Sequence, residues 1–199
     1  MDKIITGKRV LLRDWDEKDL APYWHWRQPG HAWQRFDGPY YKETPEDIKT
    51  GFDKLKQQVS GRAYPDPRTR LVIADRNTDL LIGLVSSYWE SIETQWLCAG
   101  ISIYDEKAWG QGLGQEALGL WVDYLFTARP GIARLDLRTW SGNPGMIRLA
   151  EKSGFKLEAR FRNARIVNGS YYDSLDFGIL REEWLLAEEK KRFRREPSL

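Results

Sequence analysis

The chain has 199 residues, room for one domain with a substantial core and little for a second. Its 31 basic and 29 acidic residues leave a formal charge of +2, so no global field marks a polyanion binder. A lone cysteine excludes an internal disulfide, and no run approaches the eighteen or so apolar residues of a membrane span.

In chain order, "KRVLLRDW" (8 to 15) has strand content, and "DEKDLAPYWHWR" (16 to 27) reads as a helix interrupted by Pro22. "YYKETPEDIKTGFDKLKQQV" is a second helix, with Thr44 as N-cap, Pro45 at its first position and Asp47 three residues after the cap. Ile48, Phe52, Leu55 and Val59 share one face of it. "TRLVIADR" and "LLIGLVSSYW" form a hairpin about "NTD", and "QWLCAGISIY" completes a meander with Cys98 as a buried thiol. "YDEKAWGQGLGQEALGLW" (104 to 121) then sets Gly110, Gly112 and Gly114 against a helix whose apolar positions include Leu113, Leu118 and Trp121. "RPGIARLDLRTW" gives a turn and a strand. "NPGMIRLAEKSGF" is a helix capped by Asn143 and ended by Gly154. Two strands flank Asn168-Gly169, and the tail is an amphipathic helix that runs into charge. These runs predict an α/β domain with a mixed, mostly antiparallel sheet of about seven strands, four flanking helices and a C-terminal helix. The expected division is a domain over residues 1–184 and a charged tail over 185–199.

The glycine stretch carries the most chemistry. A helix N-terminus leaves backbone N–H groups unpaired and bears partial positive charge. Glycines ahead of it let the backbone approach an anion closely. "WGQGLGQEA" meets both conditions after a strand, so a phosphate or pyrophosphate cradle is the direct reading, beside a plain strand-to-helix turn. No Lys-Ser or Lys-Thr follows as a P-loop needs, and the turn comes too late in the chain for a dinucleotide fingerprint.

"YDEKAWGQGLGQEAL" resembles the acyl-CoA-binding motif of the GNAT superfamily of N-acetyltransferases, Q/R-x-x-G-x-G/A, with Trp109 in the first position and Gly112 and Gly114 as the small residues. The Trp variant is usual in the branch of ribosomal-protein alanine and serine N-acetyltransferases. "SGNPGMIRLAEKSGF" and "VNGSYYDSLDFGILREEW" resemble the downstream helix and closing hairpin of that branch, so the resemblance spans residues 8 to 184. It implies acetyl transfer from acetyl-CoA to a primary amine, a protein N-terminus or a small amine. The strand backbone around Ile103 and Tyr104 is implied to flank the pantetheine arm. The loop of Trp109, Gly110, Gln111, Gly112, Leu113, Gly114 and Gln115 is implied to hold the pyrophosphate, with Asn143 as a further cofactor contact. A bulky residue at Gly112 is expected to block CoA while sparing the fold.

Acetylating an amine needs a neutral nucleophile, oxyanion stabilisation and an exit for the thiolate. Three positions that many relatives use for this are Ala99, Met146 and Ala150 here. Acid and base then come from elsewhere, with Glu93, Glu90, Tyr88 and His31 as candidates, or the enzyme works by positioning with water as proton carrier. Glu116 is either a helix-dipole partner or catalytic. The acceptor groove is expected from the aromatic stretch "PYWHWRQPGHAWQRFDGPYY" (22 to 41), with Trp24, Trp33, Phe36, Tyr40 and Tyr41 as its walls. His25 and His31 lack Cys or His partners at ligand spacing, so no metal is expected. A catalytically weak acyl-CoA-binding regulator is the alternative function. The basic run Lys190 to Arg195 lacks the stacking aromatics of a nucleic-acid groove. The expected setting is a soluble cytoplasmic protein with acetyl-CoA and an amine as partners, and a homodimer is compatible with it.

Overall fold

In the computed structural model, which describes residues 3–193, the elements run β1 (Ile4–Thr6), β2 (Val10–Arg13), α1 (Glu17–Arg27), α2 (Pro45–Ser60), β3 (Arg70–Asp75), β4 (Leu81–Ser91), β5 (Trp96–Ile103), α3 (Leu113–Ala128), β6 (Arg134–Trp140), α4 (Pro144–Lys152), β7 (Lys156–Val167), β8 (Ser170–Leu180) and α5 (Arg181–Phe193). Short 3-10 turns occupy Ala32–Arg35 and Glu106–Ala108. The strands form one sheet in the order β1-β2-β3-β4-β5-β6-β8-β7. Only β5 and β6 pair in parallel, because α3 carries the chain across between them. Among the described residues no helix is long and apolar enough to cross a membrane.

Eight strands replace the expected seven, the addition being β1, three residues too short to show an alternating pattern. The strand expected over 8 to 15 contracts to Val10–Arg13. Asp14 leaves the ladder's side-chain pattern to form a buried bidentate pair with Arg68, at 2.8 and 2.9 Å. Pro22, expected to shorten or kink the helix, stands inside α1, which runs on through it. A proline there removes one helical hydrogen bond. A capping box between Asp16 and Asp19 and ring contacts of Tyr23 with Trp15 and of Trp24 with Phe52, at 4.9 and 4.6 Å, hold the helix on both sides of it. The helix α5 passes without interruption through the expected boundary at residue 184, where Trp184 is buried and donates to Asp123. The basic run from Lys190 lies outside the described side chains.

Alternation along the strands sorts the core into two layers. One face of the sheet buries Leu71, Ile73, Val85 and Leu97 against Leu118, Trp121 and Leu125 of α3. The other buries Val72, Ala74, Leu84 and Tyr104 beneath α1 and α2, with Trp15, Leu55 and Val59. That second cover reaches only the first half of the sheet, which leaves a recess beside it over β5 and β6.

Candidate active site

The parallel pairing of β5 with β6 covers only Leu97 to Ala99 against Leu135 to Leu137. Beyond Ala99, β5 stays with β4 and β6 stays with β8, so the two strands part and open a cleft through the sheet. Tyr104 N–H donates to Ile82 O, which fixes the even residues of β5 as those bonded toward β4. The N–H and C=O of Ile101 and Ile103 therefore face the cleft. Ile103 O accepts from Trp109 Nε1 at 2.9 Å, so Ile101 keeps the backbone edge with no strand partner. Tyr104, expected to lend its backbone to the cleft, spends its N–H inside the sheet and buries its ring, because it falls on the even register.

On the α3 side of the cleft lies a cavity of about 400 Å³, walled by Ile101, Ile103, Trp109, Gly110, Gly112, Gly114, Gln115 and the first turn of α4. Gly110 and Gly112 have φ of +73° and +80°, and Gly112 is the N-cap of α3. The left-handed turn exposes the first-turn N–H groups of α3, which have no acceptor within the helix, toward the cavity. Arg148 and Lys152 of α4 border the same space, and neither has a carboxylate partner among the described residues. The sequence reading missed both cations, although their i, i+4 spacing puts them on one helix face. A pyrophosphate fits this donor set.

Glu116 belongs to the scaffold. Its carboxylate accepts from the backbone N–H groups of Lys8 and Arg9 and pairs with the Arg9 guanidinium, which in turn donates to Gln111 O at 2.7 Å. The β1-β2 turn is thereby tied to the glycine loop. A Cβ at Gly112 would meet Arg9 Nη2 at 3.1 Å. The expectation that a bulky residue there spares the fold is therefore corrected. Gly112→Ala is expected to destabilise by about 1–2 kcal/mol through the left-handed backbone alone, as read by denaturant unfolding.

On the opposite face, a cavity of about 300 Å³ is roofed by residues 33–40 and floored by β3, β4, β5 and β6. The two cavities share Asp37, Ile101, Ser102, Asn143 and Met146, so they meet where the strands part. Asn143 holds this junction shut on one side. Its Oδ1 caps α4 by accepting from Met146 N, and its Nδ2 donates to Phe36 O, which also accepts from Trp140 Nε1 at 2.9 Å. Both ends of the side chain are thus used in pinning the roof.

Asp37 was not singled out from the sequence, since a loop aspartate among aromatics carries no motif. Its carboxylate opens to the junction, and Ser102 Oγ donates to it at 3.3 Å. Asp37 is exposed to solvent on the cavity side, yet the groups crowded around its carboxylate desolvate it and raise its pKa above the ordinary carboxylate value, while the Ser102 hydrogen bond and Arg27 oppose that rise. A carboxylate raised in this way accepts a proton more readily than an ordinary aspartate.

The predicted residues divide by position. Trp33 and Phe36 line both cavities, and Tyr40 lines the one beneath residues 33–40. Trp24 instead packs on Phe52 between α1 and α2, and Tyr41 is 72% exposed outside the roof. Glu93 lies in the β4-β5 turn, at the end of β5 far from the glycine loop, where it accepts from Ser91 Oγ. His31 packs on Trp26 and His25 with its ring nitrogen on His25 O, as part of the roof's scaffold. Glu90 is engaged by Arg138. Tyr88 lines the cavity beneath residues 33–40, but it stands opposite Cys98, four residues from Ser102, or about 13 Å along β5. Although the residue is 49% exposed, desolvation around its hydroxyl and the neighbouring Cys98 raise its pKa, so it keeps its proton at neutral pH. Burial also pushes the Cys98 thiol up to about 11, which leaves it inert as a nucleophile at neutral pH. Among the described residues no group of three or more His, Cys, Asp or Glu is arranged to hold a metal.

A family model described as the acetyltransferase (GNAT) domain matches residues 9–156. The SPbeta prophage-derived uncharacterized N-acetyltransferase YokL of Bacillus subtilis (strain 168) is 35% identical over 77 residues, which are 39% of this chain. The chain spans only 43% of the length of that curated relative. Among solved structures, an acetyltransferase of the GNAT family from Bacillus anthracis superposes with a TM-score of 0.70 at 18% identity, over 90% of this chain and 99% of the other. Spermidine N-acetyltransferase from Vibrio cholerae, solved with CoA and spermine, gives 0.69 at 22% identity over 90% and 99%. A ribosomal L7/L12 α-N-protein acetyltransferase solved with CoA gives 0.67 at 20% over 89% and 98%. These structural likenesses establish the fold, and the family match extends from the start of β2 through the glycine loop to the start of β7. The chain belongs to the GNAT family of acetyltransferases.

Proposed function

We propose that the protein transfers an acetyl group from acetyl-CoA to a primary amine by direct attack of the amine on the thioester. The observation that carries this reading is the meeting of two cavities at Ile101 and Ser102, one furnished for an anion-rich cofactor and the other walled by aromatic rings. Acetyl-CoA supplies the activated acyl group and a thiolate leaving group. The first turn of α3 with Arg148 and Lys152 would hold its phosphates, and the free backbone edge of Ile101 would bond its pantetheine arm. Asp37 is the group suited to receive the amine's proton, because it faces the junction, is raised in pKa and is oriented by Ser102. Trp33 and Phe36 exclude water from the junction, which strengthens every electrostatic contact made there.

The test is CoA release by the full chain with a panel of small amines and N-terminal peptides. Turnover with any acceptor supports the enzyme, whereas CoA binding without turnover on all of them would favour the regulatory alternative. The cofactor half has a separate test. A Cβ at Gly114 finds ordinary contacts, 3.7 Å to Ile103 and 3.8 Å to Leu149, and φ there is not left-handed. Gly114→Leu should therefore keep the fold yet project into the cofactor cavity, weakening CoA binding by about tenfold or more in calorimetry. Unchanged affinity would place the pyrophosphate elsewhere.

A further inference from the structure

The acceptor-side cavity is bordered by three arginines and by one carboxylate, Asp37. Two of the arginines are already neutralised. Arg27 is paired with Glu43 at 2.7 Å, and Arg138 is held between Glu90 and Asp176. Arg70 differs, since among the described residues its side chain has neither an ion-pair partner nor a hydrogen bond.

Register shows where it stands. Arg70 is opposite Ser86, and Ser86 is opposite Gly100, so the three share one row across β3, β4 and β5 on the face of the cavity. Ser86 accepts from Trp121 Nε1 through its carbonyl, and its hydroxyl makes no hydrogen bond among the described residues. Gly100 leaves the floor beside it open, as a Cβ there would come within 2.7 Å of Ser86 Oγ. The row thus presents a free guanidinium and a free hydroxyl to a cavity whose proton acceptor lies elsewhere. Asp37 hangs over Ser102, two residues or about 7 Å further along β5. The cavity therefore has a cationic floor and an anionic end at the junction.

We propose that the acceptor is a small primary amine that also carries an anionic group, a carboxylate or a phosphate, seated on Arg70 and Ser86 while its amine reaches Asp37. This rests on the acetyl-transfer reading above and narrows it. A guanidinium matches either anion with two parallel N–H donors, and the aromatic roof of Trp33 and Tyr40 covers the carbon chain between the two ends. A polycation has the opposite polarity, since its second ammonium would meet Arg70.

The experiment uses the full chain with acetyl-CoA and ω-amino acids of two to six carbons, their carboxamides, the diamines of equal length and the corresponding amino-alkyl phosphates. At least one carboxylate or phosphate amine should exceed its carboxamide by about tenfold or more in kcat/KM, and the diamines should be the poorest. The carboxylate and phosphate arms identify which anion is used. Arg70→Ala should remove that preference, lowering kcat/KM of the anionic amine by about 10–100-fold and of the carboxamide by less than threefold. Arg70→Lys should restore part of it, and Arg70→Glu should turn the preference toward diamines. Equal use of carboxamides and anionic amines, preference for diamines, or an equal effect of Arg70→Ala on all of them overturns the proposal while leaving acetyl transfer intact. Calorimetry of the same compounds with the CoA-loaded protein reads the site without turnover. Arg70-dependent binding of the anionic amines there, with no acetylation of any amine, would uphold the anion site and refute acetyl transfer; failure of every anionic amine to bind refutes the site.

Discussion

Asp37→Asn is expected to lower kcat by about 10²–10³-fold with little change in CoA affinity, because it removes the proton acceptor and preserves the side chain's shape. The pH profile gives the sharper reading. Desolvation by its neighbours raises the Asp37 pKa although the residue is exposed on the cavity side, so in the wild type activity should fall as pH drops through a value above that of an ordinary aspartate. The variant should lose that acidic limb. Its deficit should also shrink as pH rises past the acceptor's own pKa, near 8 for an α-amine and near 10.4 for a lysine-like amine, since the amine then arrives already neutral. Stability should move the other way. A carboxyl group whose pKa is raised on folding favours the fold while protonated, below its unfolded pKa, and loses that contribution as pH climbs through the folded value. Asp37 is exposed, so solvent screens this contribution and Asp37→Asn should unfold at a temperature close to that of the wild type. Lower activity with undiminished stability marks a group kept for chemistry. Equal rates in wild type and variant across the pH range would remove Asp37 from the mechanism and leave water to carry the proton.

What the sequence disclosed and what it hid follow from the range of the interactions involved. The cradle of α3 was legible because all its requirements are local, namely Gly112 with its left-handed φ, the N-terminus it caps, and the strand just before it. The same holds for Thr44 and Asp47 at α2, for Asn143 at α4 and for the Asn168-Gly169 turn, where both residues have positive φ. Asp37 and Arg70 could not be read this way. Asp37 acquires its character from Ser102, 65 positions away, and Arg70 acquires its role only once register sets it beside Ser86 and Gly100. Glu93 shows the converse error. It is close in sequence to the strand that borders the cleft, yet β5 runs its full length between Glu93 and the glycine loop, so nearness in sequence put it at the wrong end. The vacancies at Ala99, Met146 and Ala150 were visible at once. The loop proposed to stand in for them was not, because it is brought over the cleft by contacts of Phe36 O with Trp140 and Asn143, more than a hundred positions on.

The largest expected loss of stability comes from Asp19→Ala, and it bears on the acceptor cavity through α1. Asp19 is 1% exposed and receives two hydrogen bonds from Arg13, at 2.6 and 2.9 Å, while also accepting from the N–H of Asp16 in the capping box. Removing its carboxylate leaves the guanidinium of Arg13, itself 6% exposed, with the more open Asp79 as its remaining anion. Breaking a buried pair in this way destabilises by about 3–5 kcal/mol. For a chain of this size that is a fall in Tm of about 6–20 °C. The exposed member of the same network offers the control. Lys18 also pairs with Asp79 but is half-exposed, so Lys18→Ala should change stability by less than about 1 kcal/mol. Similar losses for the two variants would sink the account, since the Asp19 side chain is buried, doubly bonded to Arg13 and part of the helix cap, whereas that of Lys18 is none of these. The functional consequence should be one-sided. Tyr23 and Arg27 of α1 line the acceptor cavity, whereas the cofactor cavity is built from β5, α3 and α4 with the roof loop. At a temperature where Asp19→Ala remains folded, it should therefore raise the acceptor KM before it weakens CoA binding, because the element it loosens is a wall of one cavity and not of the other.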